Sequence, residues 1–192
     1  MVKPPDKKDR LVQAAKLLFY RRGFAGTSLA DVAEAAGVPA GNVYYYFKTK
    51  EQLAEAVVSS YHANIQGWNQ AAAAGDTPQQ RLKLWLDGYY QMSVDGDDWN
   101  CPFGRLLIDL RQQSKRLGEL AATLYESMME WTEGQFSRMS QPPEQARANA
   151  QTLVARAQGL GVLAVVLQDR QELRAHFQEI ADWVDSQKGS QR

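Results

Sequence analysis

The sequence predicts an all-α fold of about nine helices, because three kinds of signal recur along its 192 residues. Apolar residues repeat every three or four positions, which is the spacing of one buried stripe on a helix. Ser, Thr or Asp precedes most of these stretches and Gly or Pro follows them, as at helix ends. No stretch shows the alternation of apolar and polar residues that is typical of a strand, and we find no internal repeat or low-complexity segment in the sequence.

Composition limits the class of protein. The single cysteine excludes an intramolecular disulfide and favours a reducing compartment, which we expect to be the cytoplasm. We expect no signal peptide, and no apolar run long enough to cross a membrane. The two histidines, His62 and His176, lie far apart in the chain and argue against a histidine metal site. We therefore expect a folded, soluble protein without a metal or cofactor.

Charged residues are distributed unevenly along the chain, although its net charge is zero. Residues 1–50 hold nine Lys/Arg and four Asp/Glu, a balance of +5, and residues 51–192 have a balance of −5. A basic head on an acidic body suggests that the head binds a polyanion and that the body has another task. Chance asymmetry is the alternative interpretation.

The first helices follow in order from their end signals. Residues 1–8 are polar and are predicted to form a mobile arm, with Asp6 or Asp9 capping a helix that ends at Gly23. Thr27 or Ser28 then caps a second helix, and Ser28 with Asp31 has the spacing of a capping box. One buried stripe of the first helix comprises Leu11, Ala14, Ala15, Leu18 and Phe19.

A short stretch, GVPAGNVYYYFKTK, organises the head. Gly37 fits the left-handed position that ends the second helix, and Pro39 suits the start of a very short third helix. Two short helices joined by a glycine-containing turn match a helix-turn-helix. Small residues at the start of the third helix can approach base edges, while tyrosine hydroxyls and lysines reach phosphates. Of the three tyrosines, we expect Tyr45 to pack inward.

Six further helices are predicted, with Pro and Gly breaks between them. Thr49 with Gln52 and Thr77 with Gln80 have capping-box spacing. We expect Arg105 and Asp109 to form an exposed pair on one helix. The predicted helices run from Thr49 to about Asn69, from Pro78, from the CPFGRLLIDL segment, from about Arg116 to Met139, from about Glu144 to Val166, and after Asp169.

A long gap-free segment, GFAGTSLADVAEAAGVPAGNVYYYFKTKEQL, resembles the N-terminal domain of the TetR (tetracycline-repressor) family of transcriptional regulators. The resemblance covers roughly residues 9–55, and beyond it the chain agrees with the family only in the number and order of helices. The matching positions are Gly23, Thr27, the Ala33 to Val38 turn region, Tyr44, Phe47, Lys50 and Leu53.

The resemblance implies a homodimer that binds an operator in double-stranded DNA. Residues 1–50 would form the helix-turn-helix DNA-binding domain, and residues 51–192 a helical domain for ligand binding and dimerisation. Its third helix would enter the major groove. The implied base-reading residues are Ala40, Gly41, Asn42 and Tyr46, and the implied phosphate contacts are Thr27, Tyr44, Lys48 and Lys50. Ser28 is a further candidate for DNA binding.

An aromatic and methionine-rich set in the body has two interpretations. At helical spacing such residues form a core more often than a pocket, yet they would also suit an apolar ligand cavity. The candidate ligand-binding residues are Trp68, Trp85, Tyr89, Met92, Trp99, Cys101, Phe103, Tyr125, Met128 and Trp131.

Cys101 opens the segment NCPFGRL, which is similar to the GCPxGxL element of one TetR subgroup, with Asn100 in place of the usual glycine. Some members of that subgroup sense electrophiles through a cysteine. A helix N-terminus would favour the thiolate, whereas Asp97 and Asp98 would disfavour it. Cys101 is thus either a sensor, a residue lining the cavity, or a small buried side chain.

Small residues in the penultimate helix suggest close packing between helices. With the resemblance, we expect the last two helices to form the dimer interface. The predicted interface residues are Leu153, Ala157, Leu160, Gly161, Phe177, Ile180 and Val184.

The function expected from these observations is a ligand-responsive repressor, released from its operator by a small apolar or electrophilic molecule. An architectural DNA-binding protein without a ligand is the alternative. An enzyme is not expected, because the sequence has no nucleophile elbow, P-loop, dinucleotide fingerprint or metal-ligand spacing.

Overall fold

The computed structural model describes residues 6–94 and 102–187, and these residues form nine α-helices and no strand. This agrees with the predicted fold class. The helices are α1 (Lys7–Arg22), α2 (Leu29–Ala35), α3 (Ala40–Tyr46), α4 (Lys50–Ala72), α5 (Pro78–Val94), α6 (Pro102–Gln113), α7 (Lys115–Arg138), α8 (Pro143–Leu167) and α9 (Arg170–Ser186).

Most helix starts are stabilised by the side chains that the sequence indicates. The Asp6 carboxylate accepts a hydrogen bond from the backbone of Asp9 at 2.8 Å, and Ser28 with Asp31 forms the full capping box of α2. Thr77 and Gln80 exchange the two bonds of a second box, each at 3.2 Å. These contacts are local in the chain, which is why their spacing predicts them.

Two details differ from the sequence expectation. Gln52 accepts its capping bond from the backbone of Lys48 rather than from Thr49, although its own N–H is held by the Thr49 hydroxyl at 3.2 Å. Of the predicted arm 1–8, residues 1–5 lie outside the described part, and α1 already begins at Lys7.

The helices cluster into two compact units. The first unit comprises Met1–Ala63 and Pro102–Leu124, and the second comprises Asn64–Cys101 and Tyr125–Arg192. In the first unit α1 packs on α2 and α6, and α2 packs on α3, while in the second α5, α8 and α9 pack on one another. The division of roles at residue 50 stays a prediction.

Helix α8 is apolar as well as long. By length and composition it passes the test for a membrane-crossing helix, so the expectation that no run is long enough was wrong for Pro143–Leu167. One such helix is weak evidence for a membrane, because core helices of soluble proteins pass the same test. Its packing against α5 and α9 accounts for part of this apolar character.

Candidate nucleic-acid interface

Helices α2 and α3 form a helix-turn-helix with a tight turn between them. Gly37 has a φ of +60°, the left-handed conformation expected of a residue that ends a helix. The backbone N–H of Val38 donates to the carbonyl of Ala33 at 2.9 Å, which closes the turn. Val32 of α2 and Val43 of α3 are fully buried. The relative position of the two helices is therefore fixed by packing as well as by the turn.

The small residues at the start of α3 are accessible. Ala40 and Gly41 are exposed, and a Cβ atom at Gly41 would meet nothing within 4 Å. Asn42 and Tyr46 are half-buried on the same short helix. The structure thus places the four predicted base-reading residues on one seven-residue helix.

The prediction that Tyr45 packs inward was wrong, because this side chain is 79% exposed. Val43 occupies the inner face of α3, Phe47 is buried just after the helix ends, and Tyr45 lies about 200° around the helix from Val43. Tyr46 contacts Tyr45 edge to face, with 5.0 Å between ring centroids. Tyr44 is exposed beside them. The tyrosines therefore add to the accessible surface rather than to the core.

Several of the residues predicted to bind DNA meet near the start of α2. Ser28, Tyr44 and Lys50 border one concave patch together with Ala25–Leu29 and Asp31. Hydrogen bonds from Ser28 hold the pKa of the Asp31 carboxyl below its ordinary value, so this capping acid stays charged. Lys48 is exposed, and its ammonium donates to the carbonyl of Tyr44 at 2.7 Å.

Thr27 has a different position from that expected. Its side chain is 2% exposed, and its hydroxyl donates to the carbonyl of Gly23 at 2.8 Å. A hydroxyl already committed inside the fold stabilises the turn between α1 and α2 instead of facing a ligand. We therefore regard Thr27 as part of the support of the surface.

Arg105 and Asp109 do not form the expected exposed pair. The Asp109 carboxylate accepts from the backbone N–H of Phe24 at 3.3 Å, and Arg105 lies over the ring of Tyr20, 5.9 Å from its centroid. Both partners belong to α1 or the turn after it. The spacing within α6 could not identify them, because Phe24 and Asp109 are 85 residues apart.

A half-buried lysine lies inside the first unit. The Lys16 ammonium is 4.3 Å from the ring centroid of Tyr61, and Tyr61 meets Phe103 edge to face at 5.1 Å. Burial lowers the pKa of Lys16 to about 8 from its ordinary 10.5, because desolvation disfavours the charged form. Phe103, predicted as a ligand contact, thus packs where α1, α4 and α6 meet.

We predict that Lys16→Met is more stable than the wild type at pH 7 and that this difference disappears as the pH rises from 8 to above 10. The unfolded chain binds more protons in this interval, since the folded pKa is the lower one, so raising the pH stabilises the wild type. Urea unfolding of both proteins at several pH values measures it. An equal difference at every pH would contradict the assignment.

In the second unit the predicted ligand-binding residues form an aromatic cluster. Trp68 and Trp85 stack with parallel rings, 4.9 Å between centroids and 2° between planes, and Tyr89 lies 5.5 Å from Trp68. Trp85 and Tyr89 are fully buried, as is Met128. Met92, Tyr125 and Trp131 are half-buried. Trp99 and Cys101 lie outside the described residues.

The Trp cluster contains polar atoms without partners. Within the described part of the chain, the indole nitrogens of Trp68 and Trp85 and the side-chain oxygen of Asn69 are buried without a hydrogen bond. Buried donors in native proteins normally have partners. Open grooves of the same unit lie between α5 and α9, beside Lys83 and Arg174, and between α7 and α8. None of the predicted ligand residues that the structure describes lines either groove.

The predicted dimer residues are mostly committed within one protomer. Six of them pack in the interior of the chain, and Leu160 is half-buried. A different stripe of α8 is exposed at spacings of four, three and four residues: Ala155, Gly159, Val162 and Val166. The small residues that suggested close packing are thus divided between two faces of one helix. The six interior residues are Leu153, Ala157, Gly161, Phe177, Ile180 and Val184.

Comparison with known proteins agrees with this geometry. The sequence profile described as "Bacterial regulatory proteins, tetR family" matches residues 11–57, the segment that holds α2 and α3. The transcriptional regulator TtgR of Pseudomonas putida is 42% identical over 119 residues, 56% of this chain and 57% of TtgR. LmrA of Bacillus subtilis is 30% identical over 129 residues, 66% of this chain and 67% of LmrA.

Solved structures extend the agreement to the whole chain. A TetR transcriptional regulator from Legionella pneumophila superposes with a TM-score of 0.84, at 19% identity, and the match covers 97% of this chain and 98% of that one. At this identity the likeness concerns the fold. Taken with the sequence matches to regulators and with the helix-turn-helix, it establishes that this chain belongs to the TetR family of DNA-binding transcriptional regulators, and is not an enzyme.

Proposed function

We propose that the protein is a ligand-responsive repressor that binds its operator as a homodimer. The observation that carries this proposal is the accessible start of α3, where two small residues and Asn42 are flanked by exposed hydroxyl and ammonium groups. Such a surface combines base readout with phosphate contacts. The alternative, an architectural DNA-binding protein, would need only the phosphate contacts.

We expect two substitutions on this surface to separate the two kinds of contact. Asn42→Ala should relax the preference between bases, at about 1–3 kcal/mol of discrimination, because it removes a bidentate amide. Lys48→Ala should weaken all sequences alike and flatten the salt dependence by about one ion. Both are measured by titrating the full-length protein with labelled duplexes from the DNA that flanks its gene. Unchanged binding by both variants would contradict the assigned surface.

The second unit is the proposed place for the effector. Its aromatic cluster offers flat apolar faces and two indole N–H groups without partners, which suits an apolar molecule carrying a hydrogen-bond acceptor. A ligand that binds better to one conformation shifts the protein between DNA-binding states. Tryptophan fluorescence during a titration tests this site, and unchanged emission on addition of ligands that release DNA would exclude the cluster.

Cys101 keeps its alternative roles, as sensor, cavity lining or packing residue, within this proposal. If it is a sensor, alkylation by N-ethylmaleimide should release the wild type from DNA but not Cys101→Ser. Equal behaviour of the two proteins would leave a non-sensing role.

The homodimer is proposed to form through the exposed stripe of α8, from Ala155 to Val166. Two small residues allow close approach of the partner helix, and two valines supply apolar area that is otherwise exposed to water. A two-fold dimer would present one α3 helix to each of two half-sites. A regulator of this kind acts where the chromosome lies, so we expect it in the cytoplasm. We also expect it to need no cofactor.

A further inference from the structure

Helix α2 is held near both ends by cations from other helices. The Arg10 guanidinium donates to the carbonyls of Ala36 and Gly37 at 2.5 and 3.0 Å, at the end of α2. The Lys50 ammonium donates to the carbonyl of Phe24 at 2.8 Å, in the turn before α2. Two cations of the basic head are therefore bound to backbone carbonyls within the fold.

The backbone of Phe24 is held at its N–H as well as at its carbonyl. Its N–H donates to the Asp109 carboxylate of α6 at 3.3 Å, while its carbonyl accepts from Lys50 of α4. The Phe24 ring is buried, 5.2 Å from the Phe19 ring centroid, and Lys50 lies 4.4 Å above it. The backbone of Phe24 thus donates to a carboxylate and accepts from an ammonium, and its ring is packed between Lys50 and α1.

The turn that contains Phe24 has little room to adjust. A Cβ atom at Gly26 would lie 2.6 Å from the backbone oxygen of Arg22. Gly23 has a φ of +76°, and a Cβ atom there would lie 3.0 Å from the Asp109 carboxylate. Ser28, the cap of α2, follows only four residues after Phe24. A shift of the Phe24 backbone would therefore be passed on to the start of α2.

We propose that Asp109 and Lys50 act together as a clamp on the backbone of Phe24 that positions the start of α2 for DNA binding. Lys50 is then a positioning residue, in contrast to the phosphate contact that the family resemblance implies. The inference rests on DNA binding by this surface, since α2 and Ser28 border the patch that Lys50 and Tyr44 line.

The clamp and a purely electrostatic role of Asp109 and Lys50 predict different effects on DNA affinity when these residues are replaced. Asp109 is an acid within the DNA-binding unit, so its loss would strengthen DNA binding if only long-range charge mattered. The clamp instead requires that loss of Asp109 weakens DNA binding, because the Phe24 N–H loses its hydrogen-bond acceptor. For Lys50, a phosphate contact and a clamp both weaken binding on removal, but only the phosphate contact changes the salt slope.

The first experiment titrates full-length Asp109→Ala with a fluorescein-labelled duplex from the DNA flanking its gene. We expect about a tenfold loss of affinity, the size typical of a hydrogen bond to a charged group. Asp109→Asn should recover most of it, because its amide oxygen still accepts. Glu34→Ala, which removes an exposed acid of α2, is the matched control and should bind as well as the wild type or better. Equal or stronger binding by Asp109→Ala would overturn the clamp.

The second experiment measures Lys50→Met at several salt concentrations. We expect about a tenfold loss with an unchanged salt slope. A slope flattened by about one would make Lys50 a phosphate ligand, and unchanged affinity would remove it from the interface; either result overturns the clamp. Lys50→Met decides the question if circular dichroism shows Asp109→Ala unfolded. A wild type that binds no flanking duplex would contradict the DNA-binding surface itself.

Discussion

Val166→Glu is expected to separate the dimer into folded monomers and to lower operator affinity by about 10²- to 10⁴-fold. Val166 is 75% exposed in the protomer, so a glutamate there does not disturb the fold. In the proposed interface the same carboxylate would be removed from water without a partner, which is costly. Two half-sites bound through one dimer gain affinity from effective concentration, and a monomer loses this gain.

The matched control is Leu84→Glu, on α5 of the same unit, at a side chain that is 45% exposed. Sedimentation at micromolar concentration should find this control dimeric and Val166→Glu monomeric. Ala157→Arg, at a position that is fully buried in the protomer, should instead unfold the chain. A dimeric Val166→Glu, or a monomeric wild type, would contradict the proposed face.

Trp85→Ala is expected to lower the free energy of unfolding by about 3–5 kcal/mol, the range for truncating a buried tryptophan. The ring is fully buried, stacks on Trp68 and lies 5.8 Å from Tyr89, so its removal leaves a cavity between α4 and α5. Urea unfolding at one fixed protein concentration measures the change, because dimer stability depends on concentration.

Trp85→Phe is the control for this prediction. It keeps an aromatic ring and removes the indole N–H that has no partner, so part of the packing loss is offset by the removed desolvation penalty. We expect a clearly smaller loss than for Trp85→Ala. Equal losses would mean that the N–H has a partner that stabilises the fold.

Local features of the fold could be predicted from the sequence because the interacting residues are near one another in the chain. The box of Ser28 and Asp31, the box of Thr77 and Gln80, and the left-handed Gly37 all depend on residues at most three apart, or on one residue. Their chemistry requires particular residue types at particular spacings.

Tertiary contacts of the basic residues, such as Arg10 and Lys50, could not be predicted. Nothing in the spacing of Arg10 indicates the carbonyl of Ala36, 26 residues away, and a lysine beside a helix-turn-helix is equally suited to a phosphate or to a backbone carbonyl. The inward residue of α3 was missed for a related reason. Val43 occupies the core position, whereas residue type alone favours the larger Tyr45, because aromatic side chains are often buried.

The small residues of α8 show a limit of helical periodicity. Ala157, Gly161 and Ala164 form one small-residue stripe, and Ala155, Gly159 and Val162 form another. Both have helical spacing, and only the packing of α8 against α5 and α9 identifies the first stripe as internal. The sequence therefore predicts an interface that includes this helix but does not show which of its two stripes faces the interior of the protomer.

Hydroxyl-radical footprinting of the wild type on the DNA flanking its gene tests the central claim most directly. We expect protection of two half-sites whose centres lie about one helical turn, roughly 10–10.5 base pairs, or a multiple of it apart. The protection should disappear when an apolar effector is added. Uniform protection along the whole duplex would indicate an architectural binder, and the absence of any protected site would contradict operator binding by this surface.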